Sequence, residues 1–318
     1  MHKFFIGPMS KEIVDVVLEQ DENIFAFIPS RRQVEYNGGY VNNWTTESFA
    51  DYVKNKKSNF LICRDHAGGN QGSEPDNGYD SLMFDAKHFD MIHVDPWKFT
   101  KNIDLGTDLT VSYIEYALGV NKDLKFEIAT EEAIFSFNYL MLYHFVDSVK
   151  QRLGSKFESV THLVIQSGTK LLGNNQIGDY SQEKLLKQVE VGNRFGLICK
   201  EHNGDYIDPL VIKEKFSLGL DCINIAPEFG YIQTCAILEN LSDEKKDLFF
   251  KLCLESNKWK NWVGKDFDPY SNKEELIKIS GHYVFSNESF ISDIYDVSFE
   301  TIIKENLRKK IGELSDIL

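Results

Sequence analysis

The chain has 318 residues, 42% hydrophobic and 26% charged, an ordinary globular composition and enough length to bury a large core without disulfide or metal staples. A formal net charge of −14 argues against a nucleic acid or an anionic membrane as partner, because both need a basic surface. The five cysteines are odd in number and form no CxxC, so they read as buried reduced thiols. With no apolar run near the ~20 residues that span a bilayer, and a first segment (MHKFFIGPMS) too short and too quickly polar for a signal peptide, the expected compartment is the cytoplasm.

Short apolar runs alternate with amphipathic segments. Phe4 to Gly7 reads as a strand and Lys11 to Glu19 as a helix; Ile24 to Ile28 reads as a second strand, followed by a helix from about Thr46 to Lys54. Further strands are expected at Phe60 to Arg64, Met91 to Asp95, Leu124 to Ala129, His162 to Gln166, Phe195 to Lys200 and Cys222 to Ala226. Helical patterns separate them, as at Leu109 to Leu118 and Ile134 to Leu153. Eight β runs, nearly continuous in apolar residues and each followed by a helical segment, predict an α/β fold. Its form is a (β/α)8 TIM barrel over residues 1–240, preferred to an open doubly wound sheet. Helical runs at about Asp243 to Ser256 and Phe299 to Ile317 predict a C-terminal helical extension over residues 241–318, packed on the barrel. The Gly-, Asn- and Asp-rich stretch from His66 to Asp80 predicts a long mobile loop on the catalytic face.

Polar residues gather where the expected strands end. The third strand ends in Arg64-Asp65-His66, the fourth carries His93 and ends at Asp95, and the fifth carries Glu127 and precedes Glu131-Glu132. The sixth ends in Gln166-Ser167-Gly168, the seventh runs into Glu201-His202-Asn203-Gly204-Asp205, and the eighth carries Asn224. Two strand-end histidines, His66 and His202, each with an acidic neighbour and converging with Glu127 on one barrel mouth, suit a divalent ion. His93 lies inside an apolar strand, where a place in the core is at least as good a reading. The turns Ser167-Gly168 and Gly204 offer backbone N–H groups to an anion, and Ser30-Arg31-Arg32, after the second strand, offers guanidinium groups to a phosphate or carboxylate.

These motifs, in order over about residues 24 to 230, resemble the class II fructose- and tagatose-bisphosphate aldolases. The segment HNGDYIDPLVIKEKFSLGLDCINIAPEF is similar to their strand seven to strand eight region. The likeness is closer to the branch of the tagatose-bisphosphate aldolase non-catalytic subunit. That branch has counterparts of Gln33-Val34-Glu35-Tyr36-Asn37-Gly38-Gly39-Tyr40, Asp65-His66-Ala67-Gly68-Gly69-Asn70, Ile92-His93-Val94-Asp95 and His202-Asn203-Gly204-Asp205-Tyr206. The resemblance implies a (β/α)8 barrel and a divalent metal, zinc with manganese as the alternative, held by His66 and His202. It makes Asp65 the acid/base and points to Glu131 or Glu132 as the group that deprotonates the ketose carbon. Gln166 stands where the family has a third histidine ligand, Asp205 where it has a phosphate-turn serine, and Pro227 where it has a phosphate-run threonine. The implied activity is reversible C–C cleavage of a ketose or sugar phosphate. The same residues would serve a C4 epimerase, and a non-catalytic subunit stabilising a partner aldolase is the other alternative; a homo-oligomer is left open.

Overall fold

A computed structural model describes residues 1–130 and 138–318. The strands are β1 (Phe4–Ile6), β2 (Phe25–Phe27), β3 (Cys63–Ala67), β4 (Met91–Val94), β5 (Lys125–Ile128), β6 (Val160–Ile165), β7 (Ile198–Glu201) and β8 (Cys222–Ile225). They pair in parallel as one eight-stranded sheet in the order β2-β1-β8-β7-β6-β5-β4-β3. The bridges Phe27–Ile62 and Ser30–Asp65 join β2 to β3 and close the ring. The fold is the (β/α)8 barrel that the alternation predicts. A two-stranded hairpin, Leu171–Leu172 with Asn175–Gln176, rises between β6 and the next helix and has no counterpart in the expected elements.

Alternation along the strands sorts side chains into two environments. Phe5, Ala26, Ile28, Cys63, Met91 and Cys222 fill the barrel interior. Their neighbours Phe4, Ile6, Phe25 and Phe27 face out to one half of the helical ring, and Ile92, Val94, Phe126 and Ile128 to the other. Burying one such aliphatic or aromatic side chain contributes roughly 1.5–3 kcal/mol. β3 begins later than the apolar run FLICR implies and continues through Arg64-Asp65-His66, because hydrophobicity stops where the strand leaves the core while its ladder continues toward the polar mouth.

Among the described residues eight helices follow the strands: α1 (Lys11–Leu18), α2 (Thr46–Lys56), α3 (Tyr79–His88), α4 (Ile103–Val120), α5 (Tyr139–Leu153), α6 (Gln182–Phe195), α7 (Pro209–Ser217) and α8 (Pro227–Leu238). Side-chain caps start many of them: Ser10, Thr45, Asn102, Asn138, Ser181 and Asp208 each accept a backbone N–H of the first turn. Each cap contributes about 1 kcal/mol. α9 (Asp243–Ser256), α10 (Lys273–Ser280) and α11 (Phe299–Ser315) then pack back, α11 against α1 and α8, and α10 against α8 and α9. Their Phe249, Leu276, Ile303 and Leu307 join the apolar cluster that holds Ile13, Val17 and Phe229. No helix among the described residues is long and apolar enough to cross a membrane.

The loop expected to be mobile is tied down. The Arg31 guanidinium donates to Gly68 O and grips both carboxylate oxygens of Asp76, while Asn70 and Asp76 exchange main-chain and side-chain bonds. Composition marks residues 68–78 correctly as neither helix nor strand, but His66 and Ala67 belong to β3, Tyr79 and Asp80 open α3, and composition does not reveal an arginine arriving from 37 residues away.

His282 sits between α10 and α8 at 2% exposure, and neither ring nitrogen meets a hydrogen-bonding group among the described residues. Burial pushes its pKa down to about 3. An unfolded histidine titrates near 6.5, so the unfolded chain takes up this proton first as pH falls. The neutral ring therefore gives full stability above pH ~6.5, and about 1.4 kcal/mol is lost per pH unit below it until the folded group titrates. A His282→Phe variant is expected to show a shallower loss between pH 6.5 and 4 in denaturant titrations; parallel acid limbs for variant and parent would contradict the assignment.

Candidate functional site

Four side chains meet at the C-terminal mouth of the barrel: Asp65, His66, His93 and His202, each offering a ligand atom within 4.8 Å of the others. Strand geometry explains how three strands supply them. The β3–β4 register shifts between Arg64 and Ala67, and such an irregularity re-aims side chains, so successive Asp65 and His66 both reach the mouth. His66 takes a left-handed φ of 48°, where its N–H leaves the ladder and donates to His93 Nδ1 at 3.3 Å. Such backbone strain costs about 1–3 kcal/mol and gathers at functional sites. Gly68, just beyond, must be glycine, since a Cβ would stand 2.2 Å from Asp95 O. Arg64 points outward, where it pairs with buried Asp85 at 2.6 Å.

The orientation of the histidines is fixed from behind. His66 Nδ1 bonds Asp95 Oδ2 at 2.5 Å, and Asp95 is itself held by Gln71 and the Trp97 N–H. His202 Nε2 bonds Glu127 Oε1 at 2.7 Å. The other ring nitrogens then turn toward one atom: Asp65 Oδ1 lies 3.7 Å from His66 Nε2 and 3.8 Å from both His93 Nδ1 and His202 Nδ1. Asp65 Oδ1 and His93 Nε2 are buried without a hydrogen-bond partner among the described residues. Burial would raise the Asp65 pKa, but the imidazoles of His66, His93 and His202 outweigh it and hold the carboxyl well below its usual range. Asp95, likewise desolvated, is drawn down to about 2, chiefly by His66.

These separations suit a divalent cation. Too long for hydrogen bonds, they leave room beside the Asp65 carboxylate for an ion held by the imidazoles, since the candidate ligand atoms all lie within 4.8 Å of one another. Each of His66 and His202 carries a carboxylate behind it, as metal-bound histidines regularly do.

Glu127 stands one layer below the cluster. Its Oε1 takes His202 and its Oε2 takes Lys200 Nζ at 2.8 Å, with both residues of that pair 0% exposed. Desolvation opposes ionisation of Glu127, and Lys200 first and then His202 reverse the balance. Glu127 thus touches the histidine rather than facing the mouth. Glu127→Gln is expected to destabilise the protein by about 3–5 kcal/mol, because Lys200 loses its counter-charge in the interior. Glu127→Gln with Lys200→Met should recover most of that in denaturant melts while metal affinity stays about 10–100-fold below the parent. Unchanged affinity in the double variant would remove Glu127 from the site.

A cavity of about 240 Å³ opens above the cluster. Asp65, His66 and His202 line it together with Ser30, Arg32, Asn203, Asp205 and Asn224. Tyr40, Trp262 and Tyr283 form an aromatic wall, with Trp262 and Tyr283 arriving from the C-terminal segment. Trp262 Nε1 donates to Tyr283 Oη at 3.1 Å, and the Tyr40 and Tyr283 rings lie 5.0 Å apart.

Other residues singled out from sequence are engaged within the protein. Arg31 is buried between Glu35, Asp76 and Gly68 O. Ser167 donates its N–H and hydroxyl to Glu201, which pairs with buried Lys215. Gly204 N–H is taken by Asn224 O at 2.8 Å. Gln166 has its main chain clamped by Gln188 of α6 and does not line the cavity. Asn70 belongs to the Asp76 clasp, and Asp95 positions His66. Asp205 Oδ1 accepts the N–H groups of Ala226 and Glu228, and burial, then Glu228, pushes its pKa up to about 7. Glu131 and Glu132 lie outside the described residues.

Sequence reasoning undervalued His93 and missed Lys200, Tyr40, Trp262 and Tyr283. The two strand residues left a signal: Met91 and His93 share one face of β4, and Lys200 shares one face with His202.

No protein-family model matches the sequence, and no curated protein does. Solved structures match the fold. A probable tagatose 6 phosphate kinase from Sinorhizobium meliloti 1021 superposes with a TM-score of 0.76 at 13% identity, with 100% of each chain covered. The fructuronate-tagaturonate epimerase UxaE from Cohnella laeviribosi gives 0.67 at 12% identity, covering 100% of this chain and 81% of the other. The fructose-bisphosphate aldolase of Campylobacter jejuni gives 0.61 at 13%, covering 100% and 90%. The likeness to class II aldolases suggested by the motifs thus holds at the level of the fold.

Proposed function

We propose that this protein is a metal-dependent enzyme of the aldolase or epimerase type, acting on a ketose or ketose phosphate. The observation that carries this reading is the convergence of three imidazoles on the Asp65 carboxylate at one barrel mouth. The neighbouring folds support it, since they include an aldolase and an epimerase of sugars.

His66, His93 and His202 would hold the ion, leaving the open position that a catalytic metal needs. When bound, a divalent cation would stabilise the negative charge that builds on the ketose carbonyl oxygen. Asp65, ionised beside the cluster, accepts the proton of the C4 hydroxyl as the C3–C4 bond breaks and its electron pair moves toward the carbonyl. The C4 carbon leaves as an aldehyde; in the aldolase outcome the enolate left behind takes a proton at C3 from water and is released as the ketone, and in the epimerase outcome it re-adds to the opposite face of the aldehyde while Asp65 returns the proton to the C4 oxygen. Asp95 and Glu127 keep two of the imidazoles in the tautomer that turns the other nitrogen to the cluster.

Proton NMR of zinc- or manganese-loaded protein with a panel of ketoses and ketose phosphates tests this. Free aldehyde is the expected aldolase product, and a C4-inverted ketose without aldehyde is the epimerase product. Metal-loaded protein that changes none of the panel would overturn the reading, as would metal-free protein that co-purifies with a second, active aldolase.

A further inference from the structure

Given the reading of this cavity as a ketose site, its remaining walls narrow the kind of ketose. The start of α8 reaches the cavity through Ala226 and Pro227. A helix start ordinarily offers backbone N–H groups to a phosphate. Here Asp205 Oδ1 takes the Ala226 and Glu228 N–H groups at 2.8 and 2.9 Å, Pro227 between them has none, and Phe229 N bonds Ala226 O. The anion position is filled by a side chain of the protein itself.

The cations point the same way. Among the described residues lining the cavity, Arg32 is the one lysine or arginine. Its Nε makes a long bond to Gly72 O at 3.4 Å, and no carboxylate among the described residues pairs with it. A single guanidinium matches a planar monoanion through two parallel N–H···O bonds. A phosphate dianion in the same place would face one exposed arginine with the Asp65 carboxylate in the same cavity. Asn224, only 6% exposed, lines the cavity with an Oδ1 that has no partner among the described residues, an acceptor suited to a sugar hydroxyl.

We propose that the substrate is a ketose acid, a polyhydroxylated ketone whose terminal carboxylate pairs with Arg32, and that Asp205 excludes phosphate from the α8 end of the cavity.

Titration calorimetry of the metal-loaded, full-length protein with fructose, fructuronate and fructose 6-phosphate isolates the group at C6. Fructuronate should bind roughly tenfold or more tightly than either of the others, the size expected of one charge-assisted pair. Arg32→Gln should bring fructuronate to within about threefold of fructose, with fructose binding itself the check that the variant is folded. Asp205→Ser, which vacates the helix start, should raise fructose 6-phosphate affinity relative to fructose. Fructose 6-phosphate binding the parent as tightly as fructuronate, or a preference for the acid that survives Arg32→Gln, would overturn the proposal. Metal content and turnover of the same sample separate the two readings. Metal-loaded protein that processes ketoses without preferring the acid sinks this inference alone. Preference for the acid in protein that holds no metal sinks the metal-dependent enzymatic reading and keeps only the pairing of Arg32 with the acid's carboxylate.

Discussion

Asp65→Asn is expected to lower turnover by about 10³-fold while the metal content stays near that of the parent. Three imidazoles already supply the protein ligands of a catalytic site, and a fourth ligand would close the position the substrate needs. Asparagine keeps the size of the side chain but cannot accept a proton, and a positioned acid/base contributes typically about 10²–10⁴ in rate. Asp65 lines the cavity beside His66 and His202, where its carboxylate can meet a hydroxyl of a bound ketose. The measurement pairs turnover of whichever ketose the NMR panel identifies with elemental analysis. Turnover within tenfold of the parent would remove Asp65 from the chemistry, and loss of the metal in Asp65→Asn would make it a ligand instead.

His202→Ala should lose the ion and, with it, all measurable turnover. His202 is held in place by Glu127 at 2.7 Å and stands 5.3 Å, ring to ring, from His66 and 4.8 Å from His93, so its removal opens one side of the cluster. About one ion per chain in the parent should fall below about a tenth in the variant. Because an ion that binds only the folded protein raises its apparent stability, added zinc should raise the melting temperature of the parent and leave that of the variant unchanged. Equal zinc shifts in the two would place any bound ion elsewhere.

The barrel was legible because its strands are eight short apolar runs spaced by amphipathic ones, and the closed ring is one of the few packings that cover both faces of such strands. Asp65, His66 and His202 were legible because each stands where an apolar run turns polar, at the end of a strand. His93 was not. It lies between Ile92 and Val94, and strands of a parallel barrel are apolar on both faces, so alternation cannot say which face is the interior. Only the closed ring shows that Met91 and His93 face inward and Ile92 and Val94 outward. Trp262 and Tyr283 were hidden for another reason. They reach the mouth from α9–α11 by tertiary packing alone, and nothing in their local sequence distinguishes them from other aromatics of that segment. The anion-binding roles read into Ser167, Gly204 and Arg31 came from residue type and position, whereas Glu201, Asn224 O and Asp76 take those donors in the folded chain.

The claim on which the functional account depends is that His66, His93 and His202 grip one divalent cation beside Asp65. Diffraction at the zinc absorption edge from crystals grown with zinc tests it directly. The account predicts a single strong anomalous peak within about 2.0–2.1 Å of a nitrogen of each imidazole. Well-ordered crystals without a peak at this mouth, or with zinc bound only at other residues, would contradict it.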